Sequence, residues 1–423
     1  MLPKVQLASR VLLPFVRLRV SVVSNQPLFS YTVQQVQVSS LMRVAVLRET
    51  LPGEARVALV PESIKKLVAA KNEVWVEAGA GEAAGINDTD YEAAGAKVTS
   101  DRTQLLPAAD VLVCVQRPSP SYMAAMRPGS VVLGFLRPLD EPAALEAAVG
   151  LKLTTFAVEL IPRITRAQAM DALSSMATVV GYKAVLIAAA QLPRMFPLLM
   201  TAAGTVAPAK VLVLGAGVAG LQAIATAKRL GAMVEAYDVR AAAGEQVKSL
   251  GASFLEVDLG GIATEDAGGY ARELTPEALQ RGRDLVAKHA RNADVVITTA
   301  AVPGKRAPVM MNDQAVLAMK RGSVIVDLSA STGGNVSLSR PDETVVTDNG
   351  VTILAPLNLA ATVPYHASQL FSRNMTSFLQ LLSKDGQLNL DMNDDVIGPS
   401  CVTHQGQVVN SRVAALLGEP VTR

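Results

Sequence analysis

Gly215, Gly217 and Gly220 form a G-x-G-x-x-G pattern inside KVLVLGAGVAGLQAIATAKRLGAMVEAYDVR, residues 210–240. The first glycine permits a tight turn out of a strand. The second lets the backbone approach a pyrophosphate, and the third lets the following helix pack close to that strand. Val218 and Ala219 open that helix, expected over 218–231. Its first N–H groups and positive dipole end would point at the phosphates. A second apolar strand, 233–237, ends at Asp238, 23 residues after Gly215. That spacing suits the acid that binds the ribose hydroxyls of a dinucleotide. The charge of Asp238 would repel a 2′-phosphate and favours NAD. Arg240, two residues on, argues the other way, since an arginine there accepts that phosphate. The acid carries more weight.

Other polar clusters stand near the same turn. PRITRAQAMDALSSMATVVGYKAV, from Pro162, packs Arg163, Arg166, Gln168 and Asp171 into nine positions before an expected helix over 174–189. This is either an ordinary helix start with solvated charges or a loop at a cleft mouth that reaches the nicotinamide end of a cofactor. LGGIATEDAGGYAREL, 259–274, places Tyr270 just after Gly268 and Gly269. Long glycine-rich loops inside compact domains are often lids. Thr299 and Ala300 begin a loop at a strand end, AAVPGKRAP, where cofactor contacts belong. DLSASTGGN, 327–335, follows the next strand, although its glycines serve a plain turn equally well.

The elements that must hold these residues alternate. Apolar strands are expected at 43–47, 73–77, 109–115, 130–136 and 151–158, with helices led by Pro61 and over 141–149 between them. Strands alternating with helices predict an α/β fold with a doubly wound parallel sheet. The second half repeats the plan: ADVLVCV at Ala109 is echoed by ADVVITT at Ala293, and RPGSVVLGFL by KRGSVIVDLS. Two Rossmann-like domains follow, joined by long helices, with a ligand in the cleft between them. The first takes 42–173 and 362–423, and the second, with the only glycine fingerprint, takes 174–361. An amphipathic helix over 367–382 returns the chain to the first domain, and a small hairpin is expected around 401–409.

Composition narrows the function. With Lys+Arg 39 against Asp+Glu 37, the net charge of +2 implies no polyanionic partner, and no basic, aromatic-interleaved tract suggests nucleic acid. Two cysteines, Cys114 and Cys401, make neither a disulfide framework nor a zinc site. The three histidines, His289, His366 and His404, form no ligand cluster, so no metal is expected. The most membrane-like stretch, 179–207, is interrupted by Lys183, Arg194, Pro193 and Pro197, and a buried linking helix is expected rather than a membrane span. Residues 1–41 hold four basic residues and no acid. They read as an upstream start in front of Met42 or as a transit peptide, and are set outside the fold.

A dehydrogenase acting on an alcohol or amine needs a positioned acid–base group. No histidine or lysine stands at a suitable strand end. Hydride transfer between two nicotinamides needs none, because no proton is made or consumed at the reacting carbons, and binding, orientation and exclusion of water suffice.

From Met42 to about Leu382 the chain resembles the NAD(H)-binding component of proton-translocating nicotinamide nucleotide transhydrogenases. The matching stretches are RVALVPESIKKL, PRITRAQAMDALSSMATVVGYKAV, GAGVAGLQAIATAKRLGAMVEAYDVR, DAGGYARE and ITTAAVPGKRAP. The resemblance implies that Arg163, Gln168, Asp171 and Ser174 surround the nicotinamide and its ribose. It implies that Asp238, Val239 and Arg240 surround the adenosine ribose, and that Tyr270 rides on a mobile loop closing over NAD(H). It further implies a homodimer, peripheral to the cytoplasmic side of the inner membrane, working with a separate NADP(H)-binding component and a membrane-spanning proton channel. Ser331, Ala360 and Thr362 depart from the family pattern. Alanine dehydrogenase is the nearest alternative and shares the motif at Arg56. Where that family holds its substrate with a lysine and a histidine, this chain reads VCVQRP and GFLRPL, placing Cys114, Gln116 and Arg137 there. A non-catalytic NAD sensor is a third reading, disfavoured by the intact 163–174 stretch.

Overall fold

The computed structural model describes residues 41–257, 275–301 and 305–418. The expected loop over 259–274, with Gly269 and Tyr270, lies outside the described residues, as do residues 1–40 of the N-terminal extension.

The chain first forms β1 (Arg43–Val46), β2 (Glu73–Glu77), β3 (Lys97–Thr99), β4 (Val111–Gln116), β5 (Val131–Phe135) and β6 (Thr154–Ala157). They lie in the order β3-β2-β1-β4-β5-β6, all parallel. Their apolar runs are unbroken because helices cover both faces. A hairpin of β7 (Leu199–Thr201) and β8 (Gly204–Val206) follows. The second sheet comprises β9 (Lys210–Leu214), β10 (Met233–Tyr237), β11 (Ser253–Phe254), β12 (Val295–Thr298), β13 (Val324–Asp327), β14 (Thr344–Val346) and β15 (Thr352–Leu354). Its order is β11-β10-β9-β12-β13-β15-β14, and only β14 runs antiparallel. Both sheets are α/β and doubly wound. Each reverses its winding direction once, between β1 and β4 and between β9 and β12, the place where such sheets bind ligands.

The helix Ala172–Gln191 joins the two halves. It is long and apolar enough to cross a bilayer, with a mean hydropathy of 1.5. It is partly buried within the fold. Ala172, Met176 and Val179 are buried in the first core, and Ala184, Val185 and Ala188 in the second. The apolar stretch continues to 207, but the expected linking helix, 174–189, forms as Ala172–Gln191 and stops there. Pro193 and Pro197 lack the N–H that would continue it. The residues that follow form the β7–β8 hairpin, where Met200 is 78% exposed.

The return to the first half is as expected. The helix Pro364–Leu382 buries Phe371, Met375, Phe378 and Leu382 in the first core. Its Ser368 and Ser372 hydroxyls accept the Val57 and Val60 N–H groups at 3.0 and 2.9 Å. After a small hairpin of β16 (Ser383–Lys384) and β17 (Gln387–Leu388), the expected terminal hairpin forms as β18 (Cys401–His404) and β19 (Gln407–Val408). β18 pairs antiparallel with β6, and the Thr155 and Thr403 hydroxyls meet at 2.9 Å. Both ends of the described chain therefore build the first sheet.

Candidate dinucleotide site

The glycine turn lies between β9 and the helix Val218–Arg229, whose N-cap is Gly217. Gly215 has φ +98°, a conformation that side chains with a Cβ rarely adopt. A Cβ on Gly220 would fall 1.8 Å from the Gly215 carbonyl oxygen, so this helix packs as closely on its strand as a bare Cα allows. Gly217 has nothing within 4 Å of where its Cβ would be. Its bareness therefore serves no packing inside the described chain. Among the described residues no side chain caps the start of this helix, which leaves the first-turn N–H groups of Val218 and Ala219 without a side-chain partner.

A glycine that sequence reasoning passed over supports this geometry. A Cβ on Gly181, in the linking helix, would fall 2.1 Å from the Ala219 carbonyl oxygen. The linking helix thus rests on the first turn of the helix Val218–Arg229. An isolated glycine inside a helical pattern was the available signal.

Asp238 stands at the end of β10, and each of its carboxylate oxygens accepts two hydrogen bonds. One oxygen accepts the Ala216 N–H of the glycine turn at 2.7 Å and Arg240 Nη2 at 3.0 Å. The other accepts the Arg240 N–H at 2.8 Å and Nε at 3.0 Å. The acid and the arginine, set against each other in the sequence, are partners here: Arg240 neutralises Asp238 and holds it against the turn. Val239 lies between them and packs on the second domain's core.

The loop after β12 closes the other side. Thr299 donates its N–H to the Leu214 carbonyl at 2.7 Å and its hydroxyl to the Gly215 carbonyl at 3.1 Å. Ala300 follows, half-buried, and its N–H is accepted by Asn335 Oδ1 at 3.0 Å.

Arg163 and Gln168 are exposed, the latter on the 3₁₀ turn Thr165–Met170. Asp171 caps the linking helix: one oxygen accepts the Ser174 N–H at 2.9 Å, the other the Ser174 hydroxyl at 2.5 Å. The turn is braced from outside. Arg166 pairs with Asp394 at 2.5 Å and with Asp395, and Asn374 Nδ2 donates to the Ala169 carbonyl at 2.9 Å. Arg166 therefore ties the turn to the C-terminal segment. Asp171 and Ser174 form the helix start, and Gln168 is the exposed polar group above it.

The corresponding corner of the first sheet is differently made. A cavity of about 220 Å³ lies over the ends of β1 and β4, lined in part by Glu49, Cys114, Gln116 and Tyr122. The N–H groups of Val115 and Gln116, at the end of β4, are taken by the Glu49 carboxylate at 2.5 and 3.4 Å. Burial pushes the Glu49 carboxyl up to about 7, with the neighbouring Glu54 adding to it. Arg56 is buried in a closed pair with Glu54, at 2.6 Å, and also reaches Asn358 at 3.1 Å. Burial works against the charge on Glu54, but its bonds and attraction to Arg56, with Gln116 and Asn358, outweigh it and bring the carboxyl down to about 2. Arg137 is exposed and pairs with Glu141 at 3.1 Å. Cys114 is buried, and its thiol faces the Leu133 carbonyl at 3.4 Å.

Two family models cover the chain: the alanine dehydrogenase/PNT N-terminal domain over residues 45–180, and the alanine dehydrogenase/PNT C-terminal domain over 184–411. The chain belongs to the alanine dehydrogenase/PNT family. It is 46% identical over 377 residues to an NAD(P) transhydrogenase subunit alpha chain of Rhodospirillum rubrum, a match covering 87% of this chain and 98% of that one. The crystal structure of a Sinorhizobium meliloti transhydrogenase superposes with a TM-score of 0.76 at 42% identity, over 87% of this chain and 99% of that one. The alanine dehydrogenase of Mycobacterium tuberculosis is more distant, at 30% identity over 387 residues, covering 90% of this chain and 98% of its own. Within the family this chain sits with the transhydrogenase alpha subunits, and the family implies a nicotinamide nucleotide on it and partner subunits beside it. The glycine turn, Asp238 and the Thr299–Ala300 strand end lie together at the switch point of the second sheet.

Proposed function

We infer that this chain binds NAD(H) and exchanges hydride directly with NADP(H) held on a partner component, within the alpha subunit of a proton-translocating transhydrogenase. The observation that carries this reading is the contrast between the two sheets. The second offers a glycine turn with helix N–H groups that no described side chain caps, and an acid at the end of the second strand. The first offers, at its own switch point, Glu49, Gln116 and Cys114, and an Arg56 closed off by Glu54. Among the described residues lining that corner there is neither the lysine nor the histidine with which the alanine dehydrogenase family is expected to hold its substrate, and this weighs against an amino-acid dehydrogenase. Hydride transfer between nicotinamides asks only for two rings held together in a dry cleft.

In this reading Asp238, steadied by Arg240, accepts the adenosine ribose hydroxyls, and Val239 lines the same pocket. Val218 and Ala219 bring their N–H groups to the pyrophosphate. Arg163, Gln168, Asp171 and Ser174 orient the nicotinamide and its ribose, with Thr299 and Ala300 forming the opposite wall. Gly269 and Tyr270 belong to a loop that closes over the cofactor. The domains are those of the sequence reading, 42–173 with 362–423 and 174–361. The chain works as a homodimer, for which the exposed apolar residues Leu198, Met200 and Val206 in and beside the β7–β8 hairpin are suited. A membrane-spanning subunit carries the protons, and this chain is peripheral to the inner membrane on its cytoplasmic side.

The test is reconstitution. The purified chain should bind NADH and leave alanine and simple hydroxy acids unoxidised. Adding an NADP(H)-loaded transhydrogenase component should switch on transfer to a nicotinamide analogue of distinct absorbance. Robust oxidation of alanine by the chain alone would overturn the reading in favour of alanine dehydrogenase.

A further inference from the structure

The chain leaves β12 at Thr299, and Ala300 and Pro308 are described on either side of the stretch that follows. Two buried residues on the next turn, Asp327 and Asn335, are both fully inaccessible to solvent, and neither belongs to the glycine fingerprint. Asp327 ends β13. Its carboxylate accepts five hydrogen bonds: from the Thr298 hydroxyl at 2.9 Å and the Ser329 N–H at 3.0 Å on one oxygen, and from the Asn335 N–H at 3.0 Å, the Val336 N–H at 3.2 Å and the Ser339 hydroxyl at 2.7 Å on the other. This pins the 327–336 turn and fixes the orientation of Asn335.

The Asn335 carboxamide then makes three bonds, all to the main chain of the neighbouring loop. Oδ1 accepts the Ala300 N–H at 3.0 Å, and Nδ2 donates to the Ala300 and Pro308 carbonyls, both at 2.8 Å. One side chain thus holds both feet of the loop. Its main-chain oxygen accepts the Met310 and Met311 N–H groups at 2.8 and 3.0 Å, extending the same hold past Pro308. Thr299 and Ala300 together abut the glycine turn: a Cβ on Gly215 would meet the Thr299 hydroxyl at 2.5 Å and the Ala300 nitrogen at 3.1 Å. Thr299 ties this strand end to the turn directly, and beyond it the buried Asn335 carboxamide, with the Ser329 hydroxyl on the Ala300 carbonyl at 3.1 Å, fixes the course of Ala300.

We propose that Asn335 is a positioning residue for the cofactor: it clamps both feet of the 300–308 loop and holds Ala300 at a set height against the glycine turn. The proposal rests on the reading that a nicotinamide nucleotide lies over that turn. It assigns Asn335 to the nicotinamide half, since Ala300 follows β12 whereas the adenosine acid Asp238 follows β10 on the opposite side of β9. Asn fits because it accepts from one amide and donates to two carbonyls. A carboxylate in its place would keep the acceptor and set a negative charge against those carbonyls.

The experiment compares NADH with ADP, which fills only the adenosine and pyrophosphate half. Binding is measured by calorimetry to the wild type, to Asn335→Asp and to Asn335→Ser, each checked for cooperative thermal unfolding. The expected result is a loss of NADH affinity of tenfold or more in both variants, with ADP affinity held within twofold. A parallel loss of NADH and ADP would make Asn335 a residue of general structure and overturn the proposal, as would failure of both variants to fold. Unchanged binding of both ligands would overturn it too. Absence of NADH binding to the wild type would instead refute the cofactor reading on which the proposal stands.

Discussion

Gly217 and Gly220 should respond to the same substitution in opposite ways. In Gly220→Ala the new methyl would lie 1.8 Å from the Gly215 carbonyl oxygen. An ordinary carbon–oxygen contact is about 3.3 Å, so the helix Val218–Arg229 must retreat from β9 by roughly 1.5 Å. Overpacking typically costs about 1–3 kcal/mol, and the obstacle here is backbone rather than a mobile side chain, which places this variant at the upper end. Gly217→Ala is different. Gly217 has φ −76° and ψ −168°, which alanine adopts freely, and nothing lies within 4 Å of the new atom. The gain from a less flexible unfolded chain, about 0.4–1 kcal/mol, is offset by a poorer helix cap, worth about 0.5–1 kcal/mol. Its stability should therefore match the wild type to about 0.5 kcal/mol. Binding should not match. A methyl at the point of closest phosphate approach displaces an oxygen from the helix N–H groups. Losing one charge-assisted hydrogen bond costs about 1.5–3 kcal/mol, or roughly 10- to 100-fold in Kd. Urea unfolding and NADH titration of both variants provide the assay. NADH binding to Gly217→Ala within twofold of wild type would refute the placement of the pyrophosphate over Gly217. An unshifted midpoint for Gly220→Ala would refute the packing argument.

Three further outcomes are expected. NADH should bind much more tightly than NADPH, because Asp238 already neutralises Arg240; equal affinities by calorimetry would mean that Arg240 governs the pocket. Glu49 has its carboxyl raised from 4.5 to about 7 by burial, so its contribution to stability is present below pH 4.5 and is lost as the pH rises through 7. That window corresponds to about 3 kcal/mol. Glu49→Gln should remove this slope, and parallel pH–stability curves for variant and wild type between pH 5 and 8 would refute the attribution. Gln168→Asn and Asp171→Asn should slow hydride transfer in the reconstituted system more than they weaken NADH binding, since an error of about 1 Å in placing the reacting carbon costs on the order of a hundredfold in rate. Near-normal turnover in both would return these residues to the role of a solvated helix start.

What the sequence determined by itself was whatever is local along the chain. The strand, turn, helix and second strand of residues 210–240 are legible because backbone conformation and helix capping act over a few residues, and buried parallel strands have unbroken apolar runs. The return of the helix Pro364–Leu382 shows in its amphipathic pattern, and the terminal hairpin in its turn residues. Within the apolar stretch 179–207, composition says how buried a segment is, whereas two prolines decide where the linking helix stops. Tertiary structure alone decided which groups meet across long separations. Asp238 and Arg240 are rival signals until folding brings Ala216 to the same carboxylate. Glu54 and Arg56 look like ordinary charges until Asn358, far along the chain, joins them in the interior. The antiparallel partner of β6 is β18, which no local pattern specifies. Asn335 carries no motif. Its importance comes from burial, where each main-chain N–H and carbonyl needs a partner and a single carboxamide can supply three.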